Sequence, residues 1–109
     1  MENEKKLAES KLFTPYKLGS TTLRNRVIRS AAFESMGKDF APTQALKDYH
    51  VSVAKGGVGM TTVAYASINR SGISFNKQLW LRDEIVPALR DLTDAVHNEG
   101  AAVGIQLGH

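Results

Sequence analysis

Cysteine is absent from all 109 residues. That excludes a disulfide framework, a thiolate metal site and a cysteine nucleophile within this stretch, and it agrees with a reducing compartment. Aromatic residues are scarce at 7%. Although 14 basic residues outnumber 11 acidic ones, they are scattered, and no Lys/Arg stripe interleaves with aromatics. A mixed-sign solvated surface accounts for the +3 net charge better than a nucleic-acid interface does. No apolar run approaches the ~18 residues of a membrane span. The opening Met1-Glu2-Asn3-Glu4-Lys5-Lys6 carries two acids and leads into no apolar core, so it does not read as a secretory signal. A cytoplasmic protein is expected.

Signatures of generic chemistry are also lacking. His50, His97 and His109 are widely spaced, without a ligand pair at i, i+4, so no metal site is expected. No Walker sequence is present. Gly56-Gly57-Val58-Gly59 precedes a strand-like run, whereas a dinucleotide-binding glycine loop follows one. No carboxylate pair stands out. Asp91 and Asp94 read as solvated, and Glu34 is the only acid directly after a strand candidate.

What the chain does contain is an alternation. Residues 1–11 form a polar lead-in, frayed or helical. Tyr16-Lys17-Leu18 and Thr22-Leu23-Arg24 flank Gly19-Ser20, a pair suited to a tight hairpin turn. Val27 to Ala32 is a short strand candidate whose small terminal residues would let a ligand approach the backbone. Thr43 can cap a helix that places Leu46, Tyr49, Val53 and Ala54 near one face, ended by Gly56-Gly57. Val58 to Ala66 reads as a buried parallel strand, and residues 67–80 as a loop. A second helix starts at Asp83 or Glu84 and tolerates Pro87 in its first turn. Its apolar face is Leu89, Leu92, Ala95 and Val96, and Gly100 ends it. Ala101 to Leu107 is a third strand. Hairpin, β, α, β, α, β implies a parallel sheet. Periodicity does not separate a doubly wound sheet from a barrel.

Six segments, in order and at fitting spacing, go further. Leu12-Phe13-Thr14-Pro15-Tyr16-Lys17-Leu18-Gly19 followed by Thr22-Leu23-Arg24-Asn25-Arg26-Val27-Ile28 closely resembles the opening of the old yellow enzyme (NADH:flavin oxidoreductase) family. Arg29-Ser30-Ala31-Ala32-Phe33-Glu34-Ser35-Met36 resembles one branch's version of the end of the first barrel strand. Ala54 to Gly59, Pro87 to His97 and Ile105 to His109 are similar to the family's helix-to-strand turn, second helix and third strand end.

The resemblance implies an α/β fold, the first part of a (β/α)8 TIM barrel over residues 12–109, with FMN at its C-terminal mouth. It also implies NAD(P)H as reductant and hydride transfer from the flavin to an activated alkene or similar small molecule. By position, Ala31 and Ala32 would touch the flavin mainly through backbone. Tyr65, or Ala64 beside it, would occupy the flavin-facing end of strand two. Gln106 would hydrogen-bond the pyrimidine edge, a role suited to an amide that both donates and accepts. His109 would sit beside that site, as a pocket residue or a structural one. Phe33 departs from the Thr or Cys that many relatives use to tune the flavin, and Tyr65 replaces a small residue.

A whole barrel needs about 250 residues, so this chain supplies three of the family's eight strands. The substrate-binding His/His or His/Asn pair, the proton-donating Tyr and the phosphate loops belong to later family segments. No catalytic residue is therefore assigned within the chain. The expectation is a part that is inactive alone and binds FMN weakly or not at all. The alternative is a non-catalytic remnant or interaction module that pairs with another chain, as a homo-oligomer or complementing barrel fragment. A self-standing Rossmann-like binding domain is the third reading.

Overall fold

Glycine at position 19 sets the first element. In the computed structural model, which describes residues 10–109, Gly19 takes φ +61° at the first of two loop positions. That is the pattern of a type II′ turn. It joins β1 (Tyr16–Leu18) to β2 (Thr21–Leu23), antiparallel, with Leu18 opposite Thr21. Of the polar lead-in, residues 1–9 lie outside the described residues. Ser10 caps a 3-10 turn at Lys11–Phe13.

Four further strands build one parallel sheet. They are β3 (Ile28–Arg29), β4 (Met60–Ser67), β5 (Leu79–Trp80) and β6 (Ala102–Gly108). β4 is the central strand and pairs with β6 along its length. On its other edge it pairs with β3 at Met60 and Thr61, then with β5 at Ala66 and Ser67. The first strand is thus shorter than Val27–Ala32, because only two of its residues find ladder partners before the chain turns away. The 67–80 loop likewise ends in a strand. Leu79–Trp80 takes up the β4 edge that β3 has left.

Two helices cover one face. Thr43 caps α1 (Gln44–Lys55), its Oγ1 accepting from the Leu46 amide at 3.1 Å. The buried stripe is Leu46, His50 and Ala54, an i, i+4, i+8 row, while Tyr49 and Val53 are only half-buried. The expected face was therefore rotated from the observed one, since a polar histidine occupies its centre. A 3-10 turn at Asp83–Ile85 runs directly into α2 (Val86–Asn98), with Pro87 in the first turn, where no helical N–H partner is lost. Gly100 follows at φ +87°, a conformation that favours glycine.

The core joins these layers. Leu46 and Ala54 of α1, Val63 and Ala66 of β4, and Leu92 and Val96 of α2 pack with Leu79 and Ala101. Val103 and Ile105 of β6 pack against the same cluster. Strand alternation therefore sends Ala102, Gly104 and Gln106 to the opposite face. A Cβ at Gly104 would meet the Met60 Cε, which places Met60 on that face too.

The hairpin closes the end where the strands begin. Arg24 donates from Nε to the Val58 carbonyl at 3.1 Å, from Nη1 to Glu99 at 2.7 Å and from Nη2 to Ala54 at 2.6 Å. One guanidinium so serves the carboxyl ends of both helices, where carbonyls lack intrahelical partners. Asn25 adds a bond to the Gly57 carbonyl at 2.6 Å. The other end of the sheet is left to the loops that follow the strands.

Candidate active site

Two long connections meet at the C-terminal ends of the strands. The 30–43 segment holds three non-glycine residues at positive φ, Ser35, Asp39 and Phe40. Its neighbour is the 67–80 segment. The Gly37 amide donates to the Lys77 carbonyl at 2.9 Å, and the Trp80 amide to the Phe40 carbonyl at 2.9 Å. Arg82 reinforces the seam by donating to the Phe40 and Asp39 carbonyls, both at 3.0 Å, while its guanidinium stacks 4.7 Å from the Trp80 ring centre. A Cβ on Gly37 would lie 2.5 Å from the Lys77 oxygen, so the seam closes only with glycine there.

Three aromatic rings gather at this mouth. Phe33, just past β3, lies 5.3 Å from Tyr65 on β4 and 5.3 Å from Phe75 in the second connection. Tyr65 and Phe75 are 6.1 Å apart, edge to face. Such spacings are those of favourable aromatic pairs. The cluster is not sealed: Phe33 is 38% and Phe75 52% exposed. Tyr65 also reaches β6, where a Cβ on Gly108 would touch its Cδ2 at 3.4 Å.

The other residues singled out in the sequence differ in exposure. Ala31 is half-buried and Ala32 exposed. Ala64 is buried, so Tyr65 rather than its neighbour presents a side chain to the mouth. Gln106 is exposed on the face it shares with Gly104. A ligand can therefore reach its amide, which is not engaged in burial as an amide inside an apolar strand end would be. His109 is exposed, and its backbone packs beside Gly72, whose added Cβ would lie 2.9 Å from the His109 Cα. Phe33, Tyr65 and β6 are thus brought together directly. Ala31 and Ala32 lie in the chain between β3 and Phe33.

A buried polar group lies behind the mouth, and sequence reading missed it. His50, fully buried on α1, pairs through Nδ1 with Thr61 Oγ1 at 2.7 Å and through Nε2 with Glu34 Oε2 at 2.5 Å. With the ring neutral, Nε2–H donates to the carboxylate and Nδ1 accepts from the threonine hydroxyl. Glu34 Oε2 also accepts from the Ala64 amide at 3.2 Å, and Arg29 Nη1 lies 3.6 Å from it. Arg29 itself donates to the Thr62 carbonyl at 2.6 Å and the Ala32 carbonyl at 2.9 Å. One signal was available. His50 lies four residues from both Leu46 and Ala54, on the stripe that packs inward.

Flavin is a flat, amphipathic ring system, and the residues present fit one side of it. The mouth offers small side chains at Ala31 and Ala32, apolar rings at Phe33 and Tyr65, and a reachable amide at Gln106. A family model described as "NADH:flavin oxidoreductase / NADH oxidase family" matches residues 11–109. Among curated relatives, a 4,4'-dithiodibutanoate disulfide reductase of Rhodococcus erythropolis is 43% identical over 98 residues, 90% of this chain and 24% of that protein. A probable N-methylproline demethylase of Rhizobium meliloti (strain 1021) is 46% identical over 100 residues, 90% of this chain and 15% of that protein. The old yellow enzyme of Pichia sp. AKU4542 superposes with a TM-score of 0.87 at 22% identity, covering 94% of this chain and 27% of that one. The chain therefore spans a quarter or less of the length of these two curated relatives. Its architecture is that of part of an old yellow enzyme (β/α)8 barrel.

Proposed function

The chain belongs to the NADH:flavin oxidoreductase / NADH oxidase family, and on that premise we propose that it forms one side of an FMN-binding mouth in an old yellow enzyme type oxidoreductase. Residues 12–109 are read as the first three barrel strands of that domain, and residues 1–11 as its lead-in. The reaction class is NAD(P)H to flavin to an activated alkene or similar small acceptor. The observation that carries this reading is the convergence of Phe33, Tyr65 and Gln106 at the ends of three neighbouring parallel strands. In barrel enzymes the chemistry sits at that end.

Bound FMN would supply the two-electron step between the nicotinamide and the acceptor. The chain's own residues bind and orient. Ala31 and Ala32 let the ring system approach the backbone, and Gln106 offers one donor and one acceptor to its polar edge. Phe33 and Tyr65 add apolar contact that excludes water, and Phe33 contributes no hydrogen bond to the flavin. His109 sits at the rim. These residues hold one wall only, so the chain alone should neither retain FMN stoichiometrically nor oxidise NAD(P)H.

Titrating the full 109-residue chain with FMN and following backbone amide resonances tests both parts. Weak shifts confined to Ala31–Phe33, Tyr65 and Gln106–His109, reduced by Gln106→Ala, are expected. Shifts confined to residues away from these strand ends would refute the mouth. A stoichiometric yellow complex surviving gel filtration would refute the single-wall reading.

A second reading has its own observation. Among the described residues β6 is paired on one edge only; Leu107 on β6 is 57% exposed, and Ile28 on β3 is 47% exposed. A groove of about 210 Å³ is lined by Leu81, Leu89, Val103 and Ile105 between α2 and the sheet. Unpaired edges with apolar flanks invite strand addition. An interaction module that completes its sheet with a second copy of itself would sediment as a stable flavin-free oligomer; a monomer removes the homo-oligomer form of this reading. Among the described residues no helix is long and apolar enough to cross a membrane.

A further inference from the structure

The pairing of β4 with β6 is irregular at one place. Val63 stands opposite Ile105 and Ala66 opposite Leu107, so three steps on β4 match two on β6. The extra residue is a β-bulge at Ala64–Tyr65. A bulge changes the phase of a strand and re-aims a side chain. Here Val63 and Ala66 both pack in the core although they are three residues apart. Tyr65 between them turns to the mouth, 5.3 Å from Phe33.

On the edge away from β6, β4 pairs with β3 only at Met60 and Thr61 and with β5 only at Ala66 and Ser67, so amides between them have no ladder partner there; a buried amide without an acceptor is costly. The Ala64 amide, buried at the bulge, donates to Glu34 Oε2 at 3.2 Å. That carboxylate is itself fixed by His50 Nε2 at 2.5 Å, and the opposite ring nitrogen is held by Thr61 on β4 at 2.7 Å. The Glu34 side chain is 1% exposed, and its Oε1 has no partner among the described residues. Every bond the side chain makes therefore converges on Oε2, the atom facing the bulge.

We propose that Glu34 is a positioning residue of the mouth: with His50 and Thr61 it clamps the Ala64–Tyr65 bulge and so holds the Tyr65 ring against Phe33 and Gly108. The clamp acts from behind the mouth and touches no ligand. What the positioned ring would face rests on the flavin reading, but the clamp's geometry does not. A measurement without flavin separates the two.

The decisive experiment compares the full chain with Glu34→Ala and Glu34→Gln by amide hydrogen exchange and by ring NOEs from Tyr65, in the absence of FMN. Glutamine can present its oxygen where Oε2 stands, still accepting from Ala64 and His50. E34A should accelerate exchange at Ala64 about tenfold or more, the factor expected for loss of a hydrogen bond to a charged acceptor. It should also erase the Tyr65-to-Gly108 and Tyr65-to-Phe33 NOEs while Leu23 and Val96 keep their protection. E34Q should restore the NOEs and most of the protection. Retained NOEs in E34A would overturn the proposal, as would acceleration spread evenly over the sheet. If E34A does not fold, E34Q decides: a folded E34Q with the Tyr65 contacts supports the clamp. A folded one without them, or an unfolded one, overturns it.

Discussion

Replacing Arg24 by alanine should cost about 3 kcal/mol, and the figure follows from three distances. Its bond to the Ala54 carbonyl, 2.6 Å and partly buried, belongs with charge-assisted hydrogen bonds at ~1.5–3 kcal/mol. The bonds to Val58 and Glu99, at 3.1 and 2.7 Å, are exposed, and solvent competition leaves each about 0.5–1 kcal/mol. Two of the three acceptors lie at helix carboxyl ends, where a cation adds a few tenths of a kcal/mol, roughly, that salt screens away. Against a stability of roughly 0.05–0.15 kcal/mol per residue, this is a large fraction. Melting followed by circular dichroism should fall by about 12–24 °C, at roughly 4–8 °C per kcal/mol for a domain of this size. Arg24→Lys tests the geometry separately. An ammonium reaches one carbonyl well but cannot span three, so the lysine variant should recover less than half of the loss. A fall of under about 1 kcal/mol for R24A, or full recovery by R24K, would refute the reasoning.

Other substitutions probe the remaining contacts. Gly37→Ala would press a methyl carbon on the Lys77 carbonyl and part the two mouth connections. The single tryptophan, Trp80, should report this by red-shifted emission, with about 1–3 kcal/mol lost in urea unfolding. Thr43→Ala removes both the cap on the Leu46 amide and the 2.5 Å bond to the Met36 carbonyl, and should cost about 1–2 kcal/mol. Thr43→Ser should restore most of it. Asp91→Ala breaks the 2.9 Å pair with Lys47 that bridges the two helices. Its carboxylate is 64% exposed, so the change in urea midpoint should correspond to less than about 0.5 kcal/mol.

Local chemistry was legible in the sequence wherever a short-range rule governed the backbone. Gly19-Ser20 announced the hairpin, Thr43 the first helix and Gly100 the end of the second, because caps and tight turns depend on residues a few positions apart. The extent of β3 was not legible. Ladder pairing with Met60 and Thr61 decides it, more than thirty positions away. Periodicity alone did not separate a barrel from a doubly wound sheet; the family segments pointed to the barrel, and superposition on an old yellow enzyme agrees. The mouth was legible as positions rather than as geometry: Phe33 and Tyr65 meet, and Gln106 is exposed at its strand end. Glu34 and His50 were each noticed singly. Their pairing was invisible, since nothing in either local pattern indicates a partner sixteen residues off.

The bulge in β4 also bears on how the mouth can vary over generations. In a regular strand, a one-residue deletion inverts every side chain beyond it and exposes the core. Here the same deletion at Ala64 or Tyr65 would bring Val63 and Ala66 two apart, in ordinary alternation, and leave their pairing with Ile105 and Leu107 in step. The strand thus carries a spare unit of length just before its C-terminal end. Loss of that unit would reshape the opening while Val63 and Ala66 keep their register with Ile105 and Leu107, which makes this point in the chain a tolerant place for a one-residue deletion.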